Sequence, residues 1–306
     1  MTPHATPLGP LLQSFFVESL CTQKRASPQT IASYRDTFRL LLEFLRDTPG
    51  MAPAAAGLAD LDVPVLLAFL DPLEHTRHNA IRSRNLRLAA IRSFFRLVAL
   101  REPASVHHAA RVLAIPVKRA ERQVVMALSR AEMDAILAAS ERGHWHGRRD
   151  HALLLTLYNS GARVSELTAL EQSQCRFGAQ SFLPLHGKGR KERTIPLWTT
   201  TARTLPAWFR ELSGSQTRLA FPSARGRTLT RNGVEYILPQ LVARAAATCP
   251  SLRDKHVTPH TLRHTTATHL LQSGVDLAVI ALWLGHESTE TTHRYVEADL
   301  ATKERA

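Results

Sequence analysis

The sequence predicts a mainly helical chain of two domains carrying one small β-hairpin. Three observations predict it. Apolar residues recur at helical spacing in both halves of the 306-residue chain. Between Glu102 and Gln123 the periodicity dissolves around Pro103, Pro116 and Lys118-Arg119, as expected of an interdomain linker. Only one place reads as paired strands: Phe182-Leu-Pro-Leu and Thr194-Ile-Pro-Leu, on either side of a Gly-rich basic turn. The length suffices for two hydrophobic cores.

The expected organisation is a helical domain over residues 8–102, a linker over 103–123 and a second domain over 124–306. A first helix begins at Leu8. Ser27-Pro28 supplies a cap and a first-turn proline, after which Ile31, Tyr34, Phe38, Leu41, Leu42 and Leu45 mark one face of a helix. Asp62 to Leu70 is a shorter helix. From His75 to Arg101 the chain carries Arg77, Arg82, Arg84, Arg87, Arg92, Arg96 and Arg101 with no acidic residue, interleaved with Leu86, Ile91, Phe94, Phe95 and Leu97. A solvated surface is the ordinary fate of a charged face. An arginine run without acids is better explained by phosphate contacts.

In the second half, Ser129-Arg-Ala-Glu132 reads as a capping box ahead of Ile136 and Leu137. Helices are expected over about 149–159 and 164–170, then the hairpin, then helices over 200–212, 231–248, 259–273 and 277–284. Gly274 is placed to end the third of this last group.

The charge balance bounds the function. With 39 Lys and Arg against 26 Asp and Glu, the net charge is +13, which favours a polyanionic partner: nucleic acid first, an anionic membrane surface second. No stretch is apolar for long enough to span a bilayer, and Met-Thr-Pro-His-Ala-Thr-Pro lacks the pattern of a secretion signal. Cys21, Cys175 and Cys249 are odd in number and far apart, which suits incidental thiols in a reducing cytoplasm rather than a disulfide framework or a zinc knuckle.

The chemistry-bearing residues cluster late. His260-Thr-Leu-Arg263-His264 puts an imidazole and a guanidinium three apart at the first turn of a helix, where an anion meets free amides and the positive dipole end. Arg163, in Ser160-Gly-Ala-Arg163-Val-Ser-Glu166, is a second candidate for a phosphate clamp; seen alone, an ion pair with Glu166 explains it equally well. His260 and His264 have the spacing of metal ligands, but Thr-Leu-Arg between them lacks the glutamate of a zinc hydrolase and adds an opposing cation, so we expect no metal and no cofactor. His286 follows Gly285, and Tyr295 lies nine residues on. A phenol of ordinary pKa near 10 is a poor nucleophile, which nearby arginines and an imidazole would improve. Lys188, flanked by glycines at the tip of the hairpin, can reach an active site and donate a proton.

Together these motifs resemble the tyrosine recombinase, or phage integrase, family. The resemblance rests on the Arg163 box, the Lys188 hairpin, His260-x-x-Arg263, Leu-Gly-His286 and Tyr295, in that order. It covers most of the chain, and Thr30, Tyr34 and Phe44 give a weaker match to the family's core-binding domain. It implies an N-terminal helical core-binding domain that contacts DNA and a C-terminal catalytic domain. Tyr295 would attack a scissile phosphate, leaving a 3′-phosphotyrosine and a free 5′-hydroxyl. Arg163 and Arg263 would hold the non-bridging oxygens, Lys188 would protonate the leaving 5′-oxygen, His260 would assist proton transfer at the phenol, and His286 would hydrogen-bond the phosphate. The remaining basic residues expected on DNA are Arg77, Arg82, Arg84, Arg87, Arg190, Lys191 and Arg193. The implied partners are double-stranded DNA carrying specific sites, three further copies of the chain in a tetramer, and an accessory directionality factor, all at the nucleoid in the cytoplasm.

The expected role is integration, excision or transposition of a mobile element. Alternatives are an Xer-like resolvase of chromosome or plasmid dimers, a type IB topoisomerase, and a non-catalytic DNA-binding regulator derived from the family. Val296 to Ala306 is a short tail, so docking on a neighbouring protomer is expected to use Asp299 to Lys303 or other surfaces. With helices starting at Leu8, a simple recombinase acting on short core sites is expected.

Overall fold

A computed structural model describes residues 6–47, 56–75, 80–120, 127–187 and 192–285. Arg77, Lys188, Arg190, Lys191, His286, Tyr295 and the tail from Val296 lie outside these residues. The chain divides into two compact units, Met1–Arg122 and Gln123–Ala306.

Among its described residues, the first unit is built of helices. It comprises α1 (Leu8–Ser14), continued by a π-helical segment Phe15–Gln23, then α2 (Pro28–Asp47), α3 (Val63–His75), α4 (Ile81–Arg101) and α5 (Val106–Leu113). The Ser27 hydroxyl accepts from the Thr30 amide at 3.2 Å, so the predicted cap forms. The core is aromatic: Phe15, Phe38 and Phe94 meet edge to face at 5.4–5.9 Å, the geometry that ring quadrupoles favour. Leu88, Ile91, Phe94, Phe95 and Val98 give α4 its inner face.

Part of the stretch expected as linker is helical. In α5, Ala109 and Val112 are buried, and Ile115 beyond it joins the same core as α4. His107 and His108 interrupt the apolar pattern in sequence. The fold accommodates His108 by setting its ring against Phe95 and its Nε2 3.1 Å from the Leu61 carbonyl.

The second unit carries α6 (Arg130–Ala138), α7 (Trp145–Ser160), α8 (Val164–Thr168), the hairpin β1 (Phe182–His186) and β2 (Glu192–Pro196), α9 (Thr199–Leu212), α10 (Arg231–Ala245), α11 (Pro259–Gln272) and α12 (Leu277–Leu284). The Ser129 box closes as predicted: its hydroxyl accepts from the Glu132 amide at 3.2 Å, and Glu132 accepts from the Ser129 amide at 2.8 Å. The strands pair antiparallel with Phe182 opposite Pro196 and His186 opposite Glu192. That register sends Leu183, Leu185 and Ile195 into the core. Beside them α7 is buried along most of its length through Leu153, Leu154 and Leu157, and α11 packs against it. Among the described residues no helix is long and apolar enough to cross a membrane.

Candidate active site

The site grows from the end of α7. Gly161 stops that helix in the left-handed conformation, φ 57°, with its amide on the Leu157 carbonyl at 2.8 Å. A Cβ at this position would lie 2.4 Å from Leu284 Cδ2, so both the backbone angle and the close approach of α12 require glycine. Two residues on, Arg163 is the N-cap of α8, and its side chain remains 43% exposed.

Glu166 organises this corner. Its carboxylate accepts from the Arg163 amide at 2.8 Å and from the Arg163 guanidinium at 3.0 Å. Arg193 of β2 adds a fork of 2.7 and 3.1 Å to the same two oxygens and donates through Nε to the Trp283 carbonyl at 2.9 Å. Burial by itself pushes the Glu166 carboxyl up. The bonds and charge of Arg193, with Arg163 behind them, outweigh it and hold the carboxyl below its ordinary range.

Arg263 is 4% exposed on the second turn of α11, and its guanidinium donates to the Gly161 and Leu284 carbonyls, each at 2.6 Å. It therefore ties together the ends of α7 and α12 from a third helix. One turn earlier is His260, directly after Pro259 at the first helical position. Thr258 and Thr261 cap this end reciprocally, at 3.1 and 3.0 Å. The His260 ring meets His264 edge to face at 4.5 Å. Packing around the ring lowers its pKa below the ordinary histidine value, and the cations Arg263 and then Arg163 lower it further. His260 is accordingly neutral at pH 7, able to accept a proton.

Of the predicted catalytic residues, Arg163, Arg263 and His260 are thus brought together from two separated segments. Lys188, His286 and Tyr295 lie outside the described residues, although the flanks of two of them are fixed. His186 and Glu192 close the described ends of the hairpin, and Gly285, left-handed at φ 66°, ends α12 immediately before His286. A Cβ on Gly285 would lie 3.0 Å from Arg193 Nη1.

The basic residues expected on DNA divide. Arg82 is exposed. Arg84 is not: it is 2% exposed and donates to the Pro116 carbonyl at 3.2 Å, while its neighbour Asn85 bonds Lys118 at 2.7 Å. Together they clip residues 116–118 back onto α4. Arg87 is largely covered and pairs with Asp36 of α2 at 3.0 Å. Arg193 is turned inward onto Glu166, 10% exposed. Phosphate contacts expected of Arg84 and Arg193 are therefore corrected to internal tethers. The arginine run lacks acids in sequence, but the fold supplies Asp36, Glu18 and backbone carbonyls from other elements.

Comparison with known proteins gives the family. Residues 127–301 match the phage integrase family, and residues 14–102 match the phage integrase N-terminal SAM-like domain. The chain is 50% identical over its whole length to a protein named "Putative integrase/recombinase y4rC" of Sinorhizobium fredii, covering 92% of that protein. It is 34% identical to tyrosine recombinase XerC of Pelobacter propionicus, over 96% of this chain and 92% of that one. In fold it is similar to XerH site-specific recombinase bound to a palindromic difH substrate, with TM-score 0.75, 21% identity, and coverage of 92% of this chain and 80% of that one. It is also similar to the Tn1549 transposon integrase in complex with a circular intermediate DNA, with TM-score 0.71, 14% identity, and coverage of 97% and 99%. The chain belongs to the phage integrase family, the tyrosine recombinases.

Proposed function

We propose that this chain breaks and rejoins duplex DNA at specific sites through a covalent 3′-phosphotyrosine on Tyr295. The observation that carries the reading is the convergence of Arg163, Arg263 and His260 on one corner, anchored by Glu166. Two guanidiniums suit the two non-bridging oxygens of a phosphodiester, and they stabilise the extra charge those oxygens gather in the transition state. The Tyr295 oxygen attacks phosphorus, and the bond to the 5′-oxygen breaks. His260, neutral at pH 7, assists removal of the phenol proton, Lys188 protonates the departing 5′-oxygen, and His286 hydrogen-bonds the phosphate. Attack by a 5′-hydroxyl on the phosphotyrosine reverses the step. The phosphodiester energy is conserved throughout, so no ATP is needed.

The first unit contacts DNA through exposed basic residues, Arg82 among the described ones, and two duplexes are exchanged within a tetramer at the nucleoid, with an accessory directionality factor. Integration, excision or transposition of a mobile element is the reading we favour, in keeping with the 50% identity to the Sinorhizobium protein named a putative integrase/recombinase. Resolution of replicon dimers is the second reading, favoured by the 34% identity to XerC.

The test uses nicked duplexes tiled across the DNA flanking the gene and across replicon dimer junctions. Wild type is compared with Tyr295→Phe for an SDS-resistant protein–DNA adduct. An adduct from wild type alone is expected, and its position distinguishes the two roles. An equal adduct from Tyr295→Phe would remove Tyr295 as nucleophile. Firm binding without any adduct would leave a DNA-binding regulator.

A further inference from the structure

Behind the site, on the opposite end of the helix that carries His260 and Arg263, lies a buried chain of hydrogen bonds that the proposed reaction does not use. His269 is 4% exposed, and both ring nitrogens are engaged. Nδ1 is 2.6 Å from the Tyr158 hydroxyl, and Nε2 is 2.9 Å from the Leu128 carbonyl. A carbonyl can only accept, so Nε2 carries the proton; Nδ1 of the neutral ring then accepts from the phenol. Burial holds the imidazole neutral, with Arg130 adding to that effect, and burial also keeps the Tyr158 phenol protonated.

One end of this chain leads to the active site. Tyr158 lies on α7, three residues before Gly161, whose carbonyl receives Arg263, and five before Arg163. One turn before His269, Thr266 donates to the Tyr158 carbonyl at 2.7 Å. At the other end, the segment leading into α6 is laced along α11 and the loop ahead of it. The Leu128 amide donates to Thr265 Oγ1 at 3.0 Å, Arg130 bonds Ser273 at 2.9 Å, and Glu132 bonds Ser251 at 2.5 Å and Lys255 at 2.7 Å. His269 is the side chain that joins these two sets of contacts.

We propose that His269 is a positioning residue for strand cleavage: by bridging Tyr158 and Leu128 it sets where Arg163 and Arg263 stand relative to each other. A misplacement of about 1 Å is enough to cost up to a hundredfold in rate, so a remote tether of this kind has kinetic weight.

The bridge can be cut one half at a time. An asparagine amide occupies the place of Nδ1, and a glutamine amide occupies the place of Nε2. His269→Gln therefore keeps the Leu128 bond and loses the Tyr158 bond, Tyr158→Phe loses the same bond from the other side, and His269→Asn keeps it while losing Leu128. Leu238→Ala, which empties a buried site on α10 without removing a bond of the bridge, controls for lost stability.

Two readouts apply to the full-length chain. The first needs no DNA. The pKa of His260 is lowered by burial of its ring and then by Arg263 and Arg163, so a change in its NMR midpoint reports a shift of the two arginines or of the packing around the ring. That midpoint is expected to rise toward the ordinary histidine value in His269→Gln and Tyr158→Phe and to stay put in Leu238→Ala. The second readout, which rests on the recombinase reading, is the rate of adduct formation on the nicked duplexes. It is expected to fall about tenfold in His269→Gln and Tyr158→Phe, with DNA affinity kept and with the double variant no slower than either single one, since both remove one bond.

An unmoved His260 midpoint in both variants would overturn the proposal, as would rates that follow thermal stability alone. If wild type forms no adduct, the recombinase reading fails, and the His260 midpoint still decides the role of His269.

Discussion

Arg193 offers the sharpest test of the site's construction, because its sequence context and its structural position assign it opposite roles. On the basic hairpin it reads as a phosphate contact; in the fold it is the principal partner of a buried carboxylate. Arg193→Ala removes both fork bonds to Glu166 and the bond to the Trp283 carbonyl. Breaking a buried ion pair from one side costs about 3–5 kcal/mol, because the other charge is left without its counter-ion. The Arg163 amide and guanidinium remain on Glu166 at 2.8 and 3.0 Å, so the loss belongs near the lower bound. We expect about 2–3 kcal/mol, a drop in Tm of about 4–12 °C for a unit of this size.

The assay is thermal or urea unfolding of the full chain, followed across pH. Glu166 has a lowered carboxyl pKa in the folded state, so its share of the stability is present above the ordinary carboxylate range and is lost as pH falls through the lowered value. The gap between wild type and Arg193→Ala should therefore narrow in acid. An unchanged Tm, together with DNA binding whose salt slope drops by about 1, would mean that Arg193 faces a phosphate and that the reasoning fails.

Other expectations follow from the same contacts. Arg84→Ala should destabilise the first unit without changing the salt slope of DNA binding, whereas Arg82→Ala should leave stability within about 0.5 kcal/mol and lower the slope by about 1. The rate of adduct formation should fall as pH drops through the His260 midpoint, which lies below the ordinary histidine value; Arg163→Gln, removing one neighbouring cation, should raise that midpoint as read by NMR. Gly285→Ala should lose about 1–2 kcal/mol from its left-handed backbone, with a further clash against Arg193. Combined with Arg193→Ala that clash vanishes, so unfolding of the double variant should show about 0.5 kcal/mol or more of non-additivity.

Local rules made most of the fold legible. Ser27-Pro28, Ser129-x-x-Glu132 and Gly274 carry their meaning within four residues, and the structure forms each of them as a helix boundary. The hairpin was equally readable, since Leu183, Leu185 and Ile195 fix its register by alternation. What failed were inferences about charge. Arg84 and Arg193 read as phosphate contacts, the one from an acid-free run and the other from a basic hairpin, yet the Pro116 carbonyl and Glu166 meet them across 32 and 27 residues. A charged side chain's partner is a tertiary fact, and no window along the chain contains it. α5 was missed for a related reason: the ring of His108 reads as polar until Phe95 and the Leu61 carbonyl are set beside it. In the site, the pairing of Arg163 with Glu166 was visible at helical spacing, but the second claim on that carboxylate, from Arg193, was not.

That second claim bears on how the site does its chemistry. Arginines gathered to grip one phosphate repel each other until the phosphate arrives, and a nearby acid that neutralised them fully would compete with the substrate. Here two guanidiniums, Arg163 and Arg193, pair with one carboxylate, Glu166, and a third, Arg263, holds the Gly161 carbonyl two residues before Arg163. The balance leaves an excess of positive charge in the corner, with Arg163 still partly exposed. Preorganised positive charge of this kind counts most where the substrate's charge grows, which is in the transition state. Glu166→Gln tests the point because its two effects have opposite signs. Losing the carboxylate adds one positive charge, which should leave DNA affinity unchanged or tighter. It also turns an amide N–H toward a guanidinium and loosens both arginines, which should slow adduct formation by about tenfold or more. Binding and rate measured on the same nicked duplex would then move apart. If they fell together, Glu166 would act on ground-state binding, and if neither moved, the carboxylate would be dispensable to the clamp.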